Sequence, residues 1–275
     1  MIIKKLKKHT TIFKRRFNQH KALKEIASYK NSTLQKYLTA FKTVKNQNFT
    51  PEDLAAFDEV ENYRTELLAN QDLISYAIFN SEEEASVATI CKRAASSKKW
   101  CQFLYAITKQ IEVPVFLELG TNVGISGSYI LHALKHKKAS KFISMEGLAQ
   151  LCELTSKRFT QLAPKDKYDI KQGLYDDTFP KLIAENHNFN ILFIDGNHQK
   201  QPTISYFEEL KSRLIGPTIY IFDDINWSKG MVEAWEIIKS NPDVNFSIDM
   251  YEQGIIIIDK EESKKNIHFE LHLSY

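Results

Sequence analysis

Phe116-Leu117-Glu118-Leu119-Gly120-Thr121-Asn122-Val123-Gly124-Ile125-Ser126 is the stretch on which the reading of this chain turns. A short apolar run ends beside an acid, two glycines follow four residues apart, and a helical pattern begins near Ser126. Buried parallel strands read as continuous apolar runs, with crossover helices filling the gaps between them. The texture recurs downstream. Apolar runs at 113–119, 141–145, 168–171, 190–194 and 218–222 are each followed by helical periodicity. After Lys239 the pattern becomes strand, turn, strand over 244–250 and 254–259, a connection too short for a parallel crossover, so this pair is expected to be antiparallel. Residues 267–273 alternate and offer an edge strand. The expected fold is α/β: an open, doubly wound, mostly parallel seven-stranded sheet with an antiparallel C-terminal hairpin and an N-terminal helical extension.

In such a sheet, ligands bind beyond the carboxyl ends of the strands, at the switch point beside the first strand. Gly120 and Gly124 let the backbone approach a ligand closely, and the helix after them points free N–H groups into the same space. Glu118 can face a cationic group there. A dinucleotide site would want G-x-G-x-x-G, but Asn122 stands at the second glycine's place. A phosphate loop would want a Gly-Lys-Ser/Thr ending, also absent. What remains is a ligand with an amino-acid end and a nucleoside end. Phe142-Ile143-Ser144-Met145-Glu146 supplies the nucleoside partner, because an acid ending the neighbouring strand accepts hydrogen bonds from ribose hydroxyls.

L-E-L-G-x-x-x-G-x-S followed by M-E some twenty residues later resembles the cofactor motifs of class I methyltransferases, in particular the O-methyltransferases related to catechol O-methyltransferase. The resemblance covers roughly 113–259 and implies a Rossmann-like domain with S-adenosylmethionine as cofactor. It implies that Gly120 and Ser126 touch the methionine carboxylate, that Glu146 binds the ribose, and that Gln172 and Gly173 lie near the adenine.

Two acidic clusters end the next strands: Asp195-Gly196-Asn197-His198 and Asp223-Asp224-Ile225-Asn226-Trp227. Adjacent strand ends would put Asp195, Asp223 and Asp224 within reach of one hard cation such as Mg²⁺, which would lower the pKa of an acceptor hydroxyl. The resemblance agrees in part: Asp195 and Asp223 match metal-ligating aspartates of metal-dependent relatives. His198 falls where catechol-type enzymes carry a catalytic lysine. A histidine can take a proton directly, so His198 is the candidate base, and Asp195 is expected at the cofactor edge as a catalytic residue or a metal ligand. Against the metal, Asp223 or Asp224 could simply cap the helix starting near Ser228. Trp227 and Tyr175 are candidates for the acceptor pocket.

Upstream of this domain the charge is uneven. Residues 1–50 carry thirteen Lys/Arg against one acid, Glu25, and the balance inverts from Pro51 to Ala85. Ile2, Leu6, Phe13 and Phe17 recur at near-helical spacing among basic residues, suggesting an amphipathic arm for anionic membrane or nucleic acid, or a docking helix. Thr50-Pro51-Glu52-Asp53 predicts a helix start, and Ser81-Glu82-Glu83-Glu84 suggests a capping box for another. The chain is expected to divide into a basic helical arm (1–48), a helical cap or dimer-interface segment (49–111) and the cofactor domain (112–275). Ordinary hydrophobic (43%) and charged (26%) fractions, no apolar run near roughly 20 residues and no signal-peptide core fit a cytoplasmic protein, peripheral at most to the membrane. Three cysteines without ligand spacing suit a reducing compartment. The function expected is O-methylation of a small hydroxylated molecule. The alternatives are a nucleic-acid methyltransferase using the basic arm, or a non-catalytic membrane-surface protein. The first lacks an Asn/Asp-Pro-Pro-aromatic motif after the fourth strand.

Overall fold

The computed structural model of the protein describes residues 2–273, and side chains from residue 8 onward, so the expectations for Ile2 and Leu6 lie outside the described side chains. Two helices, α1 (Ile2–Ser28) and α2 (Ser32–Asn46), precede α3 (Pro51–Ala69). Strands β1 (Leu73–Ser75) and β2 (Glu84–Ser86) flank a 3-10 turn at Ala77–Phe79, and α4 (Val87–Ala94) and α5 (Lys98–Gln110) follow. The alternation then runs β3 (Val115–Leu119), α6 (Ile125–Leu134), β4 (Lys141–Glu146), α7 (Ala149–Leu162), β5 (Tyr168–Gln172), α8 (Tyr175–Ala184) and β6 (Phe189–Ile194). It closes with α9 (Lys200–Leu210), β7 (Leu214–Phe222), α10 (Lys229–Lys239), β8 (Phe246–Asp249), β9 (Gly254–Ile258) and β10 (Ile267–Glu270).

The strand order is β10-β8-β9-β7-β6-β3-β4-β5, an eight-stranded sheet where seven strands were expected. The additional strand is β10, the alternating 267–273 stretch, which pairs parallel to β8. As expected, β8 and β9 are antiparallel, and β9 is also antiparallel to β7. The chain divides into two compact units, Ala40–Phe189 and Met1–Thr39 with Asn190–Tyr275.

In the Ala40–Phe189 unit, β3, β4 and β5 are parallel, with Glu118 opposite Ser144 and Glu146 opposite Gln172. Thr50 caps α3 through a capping box with Asp53, and Pro51 opens the helix. The helical reading of the rest of 51–111 needs correction, because β1 and β2 form an antiparallel hairpin. The Ser81 capping box does not form. Ser81 Oγ instead accepts the Glu83 N–H in a local turn, and Ser86 caps α4 by accepting from Thr89. Under these elements Phe57, Val60, Tyr105, Val123 and Tyr129 share one buried cluster. Cys91, Cys101 and Cys152 are buried free thiols, and burial pushes the Cys152 thiol up to about 12.

In the other unit α1 packs beside β10 and meets it through a polar face. Arg15 is buried, donating to Asp249 Oδ1 at 2.6 Å and to Glu270 Oε1 at 3.4 Å. Gln19 accepts the His272 N–H at 2.8 Å, and Lys8 pairs with Glu252 at 2.7 Å. Phe13 and Phe17, which the helical spacing singled out, lie on the opposite, exposed side.

Candidate active site

Glu118, near the end of β3, is fully buried and turned to hydroxyls. Ser126 Oγ donates to its Oε1 at 2.5 Å and Ser144 Oγ to its Oε2 at 2.5 Å. Thr121 Oγ1 shares a 2.6 Å hydrogen bond with Ser144 Oγ and extends the network. Burial pushes the Glu118 carboxyl up to about 7, against the lowering effect of the two serines. This network anchors the loop that follows. The amides of Gly120 and Thr121 donate to the Met145 carbonyl, tying the loop to β4. Gly120, Asn122 and Gly124 have φ of 108°, 50° and 77°. Gly124 is the N-cap of α6, and no side chain caps that end. The Ser126 hydroxyl is engaged by Glu118, so what Ser126 offers a ligand is its backbone N–H.

Glu146 ends β4 buried, with Oε2 accepting the Asn122 N–H at 2.9 Å and Oε1 accepting the Leu148 N–H at 3.0 Å. Its pKa is raised by burial, against those amides. Glu146 thus grips the glycine loop and the entry to α7 together. Gly173, with φ 137°, bonds its N–H to the Glu146 carbonyl, while Gln172 is exposed on the same strand end. The hairpin reaches this region too. Gln150 holds it by accepting from the Ser75 amide and donating to the Leu73 carbonyl. The Phe79 ring lies against Gly147, where an added Cβ would sit 3.1 Å from Phe79 Cζ, yet the side chain is 50% exposed. Tyr76, whose pKa is raised by burial and then by the charge of Glu146, lies beside it.

In the second unit, Asn197 and His198 take positive φ of 67° and 36° after β6, turning the His198 ring back to Asp195, with Nε2 3.6 Å from Oδ1. That is an ion-pair distance, longer than a hydrogen bond. Burial holds the His198 pKa below the ordinary histidine value, and the charge of Asp224 opposes this. Asp223 is pushed up to about 7 by burial and by the repulsion of Asp224. Asp224 has φ 55° and feels Glu252 and Lys8. Ser228 itself caps α10 by accepting from Met231, so neither aspartate serves as that cap. Of the three aspartates considered as metal ligands, Asp195 and Asp223 are joined by a side-chain hydrogen bond, and Asp224 is close enough to repel Asp223. Among the described residues no three His, Cys, Asp or Glu groups are arranged to hold an ion.

Residues 117–225 match the family model of a methyltransferase domain. Over that stretch the chain is similar to methyltransferase domains. The match runs from β3 to just beyond β7, through both residue groups described above. Solved structures share the fold. An O-methyltransferase from Bacillus cereus in complex with S-adenosylhomocysteine is 19% identical, with TM-score 0.55 over 75% of this chain and 91% of that one. The O-methyltransferase TomG from Streptomyces achromogenes, in complex with S-adenosylmethionine, is 18% identical, with TM-score 0.53 over 60% and 82%. A methyltransferase from Podospora anserina bound to S-adenosylhomocysteine is 14% identical, with TM-score 0.54 over 78% and 98%. The search of curated proteins returned no match.

Several residues of the methyltransferase domain's surroundings escaped the sequence. Tyr63 on α3 donates to the Val123 carbonyl at 3.1 Å and so supports the glycine loop from below. Lys8 and Glu252 flank Asp224. Ser144 carried a signal: it is the polar residue inside an otherwise apolar strand, in register with Glu118. Trp227 is 66% exposed and Tyr175 half-buried at the start of α8.

Glu118 gives the domain a pH signature. Its folded pKa of about 7 lies above the ordinary carboxyl value. Its contribution to stability is therefore fully present below the unfolded pKa and is lost as pH rises through 7. Relative to Glu118→Gln, the wild type is expected to lose roughly 2–3 kcal/mol between pH 5 and pH 8 in urea unfolding. Parallel pH dependences for the two proteins would remove Glu118 as the titrating group.

Proposed function

We propose that this domain uses S-adenosylmethionine to methylate a hydroxyl oxygen of a small molecule. The observation that carries the reading is the uncapped N-terminus of α6, presented by a loop with glycines at positive φ and gripped by the buried carboxylate of Glu146. A helix N-terminus without a side-chain cap offers N–H donors to a carboxylate. A buried carboxylate with lone pairs remaining suits a ribose diol. The N–H donors and the carboxylate acceptor suit the two ends of the cofactor. Gly120, Gly124 and the backbone of Ser126 would hold its carboxylate, Glu146 its ribose, and Gln172 with Gly173 its adenine. The solved structures that share the fold include O-methyltransferases holding the same cofactor or its product.

Bound there, the cofactor supplies an electrophilic methyl group. The chain's own contribution is to orient the acceptor and take its proton. A neutral His198 directs one ring nitrogen toward Asp195 and leaves the other to accept the hydroxyl proton, and Asp195 stabilises the imidazolium that results. Because burial keeps His198 neutral near pH 7, the base is in its working form. Catalysis otherwise comes from positioning the two reactants.

The test is transfer of labelled methyl from S-adenosylmethionine in a metabolite extract. Label in the small-molecule fraction, stable as an ether, supports the reading. Label confined to RNA or DNA would replace it with the nucleic-acid alternative. The hairpin adds a prediction. With Tyr76 and Phe79 beside Glu146 and Gly147, the Phe79 ring is placed to stack on the nucleoside. Phe79→Ala is expected to weaken S-adenosylhomocysteine about tenfold by calorimetry, with methionine binding unchanged. Equal affinity would leave Phe79 as a surface residue only.

A further inference from the structure

An ordinary surface helix turns its apolar residues inward and its polar residues out. Around its middle, α1 does the reverse. Its buried face carries Arg15 and Gln19 beside Ile12 and Ile26, and it is fixed there by Asp249, Glu270 and the His272 amide. Phe13 and Phe17, one turn apart, are 74% and 83% exposed. Lys14, Arg16, His20, Lys21 and Lys24 are exposed around them, and no acid precedes Glu25. Phe13 and Phe17 are the most exposed large hydrophobic side chains among the described residues.

We propose that this face of α1 docks on an anionic lipid surface, with Phe13 and Phe17 entering the headgroup region and the basic side chains lying against lipid phosphates. Aromatic tips flanked by Lys and Arg are what an interfacial helix requires. Charge selects this occupant. A second copy of the same face brings like charges together. Within the acidic stretch of α3, Asp53 is paired with Lys109, Glu59 with Arg158 and Glu61 with Arg64. No helix of the described residues is long and apolar enough to cross a membrane, so the contact proposed is of a helix lying on the surface.

The experiment is co-sedimentation of the full chain with vesicles of phosphatidylcholine alone, or containing roughly one third phosphatidylserine. The wild type is expected to pellet with the anionic vesicles only, and less so as salt is raised. Phe13→Ser/Phe17→Ser is expected to reduce that partitioning about tenfold or more, with its thermal midpoint unchanged. Lys14→Glu/Lys21→Glu, which keeps both aromatics, should lose the preference for anionic vesicles. Equal partitioning of either double variant and the wild type, or equal binding to neutral vesicles, overturns the proposal. So does a lipid-free dimer in sedimentation velocity that the phenylalanine variant abolishes, which would assign the face to a second copy.

Discussion

His198→Ala is expected to lower kcat by about 10²- to 10⁴-fold, the range a general base contributes, while leaving S-adenosylhomocysteine affinity nearly unchanged. The expectation rests on the loop after β6. Positive φ at Asn197 and His198 holds the ring against Asp195, an arrangement a loop would not adopt without other contacts enforcing it. Burial lowers the His198 pKa, so the base form is lost only under acid conditions. In the wild type kcat/KM should therefore rise with pH through an inflection below the ordinary value of about 6.5 and then level. Asp195→Asn removes the carboxylate facing the ring, and should move that inflection to lower pH while lowering kcat. If His198→Ala retained full activity, the proton would be leaving by another route. If its S-adenosylhomocysteine affinity collapsed along with kcat, His198 would be holding the fold rather than the proton.

Gly124→Ala is expected to cost about 2–5 kcal/mol of stability and to abolish cofactor binding. Two independent effects add. At φ 77° any Cβ is strained, and here that Cβ would lie 2.7 Å from Thr155 Cγ2. Thr155 has no room to retreat: it is fully buried and its hydroxyl donates to the Asn122 carbonyl at 3.2 Å. Thr155→Ser, which removes the clashing methyl, should restore part of the stability of Gly124→Ala but not the share due to the backbone. Urea unfolding of the single and double variants checks this. A Gly124→Ala protein as stable as the wild type would mean that the loop does not take this conformation.

The parallel strands were legible because a buried strand writes itself as an apolar run, as β3, β4 and β6 do, whereas β5, at the sheet edge, reads Tyr168-Asp169-Ile170-Lys171-Gln172. The loop after β3 was legible because Glu118, Gly120, Gly124 and Glu146 lie within one β-α-β stretch. Contacts distant in sequence were not. Tyr63 supports Val123 from 60 residues away, and Lys8 meets Glu252 across 244. Three-residue strands show no period, so β1 and β2 were hidden in a helical reading, and Ser81 with its glutamates imitated a cap that Ser86 provides. Phe13 and Phe17 marked α1 as an amphipathic arm or docking helix. Which face of the helix is buried rests on the Arg15 partners Asp249 and Glu270, 234 and 255 residues away.

The central claim is that the loop between β3 and α6, with Glu146, forms an S-adenosylmethionine site. Isothermal titration of the full chain with S-adenosylhomocysteine tests it most directly, alongside Glu146→Ala. One site per chain in the wild type, with affinity at least about tenfold weaker in Glu146→Ala, is the result predicted for loss of a buried ribose partner. No binding heat to the wild type at millimolar ligand, or identical affinity in the two proteins, would contradict it.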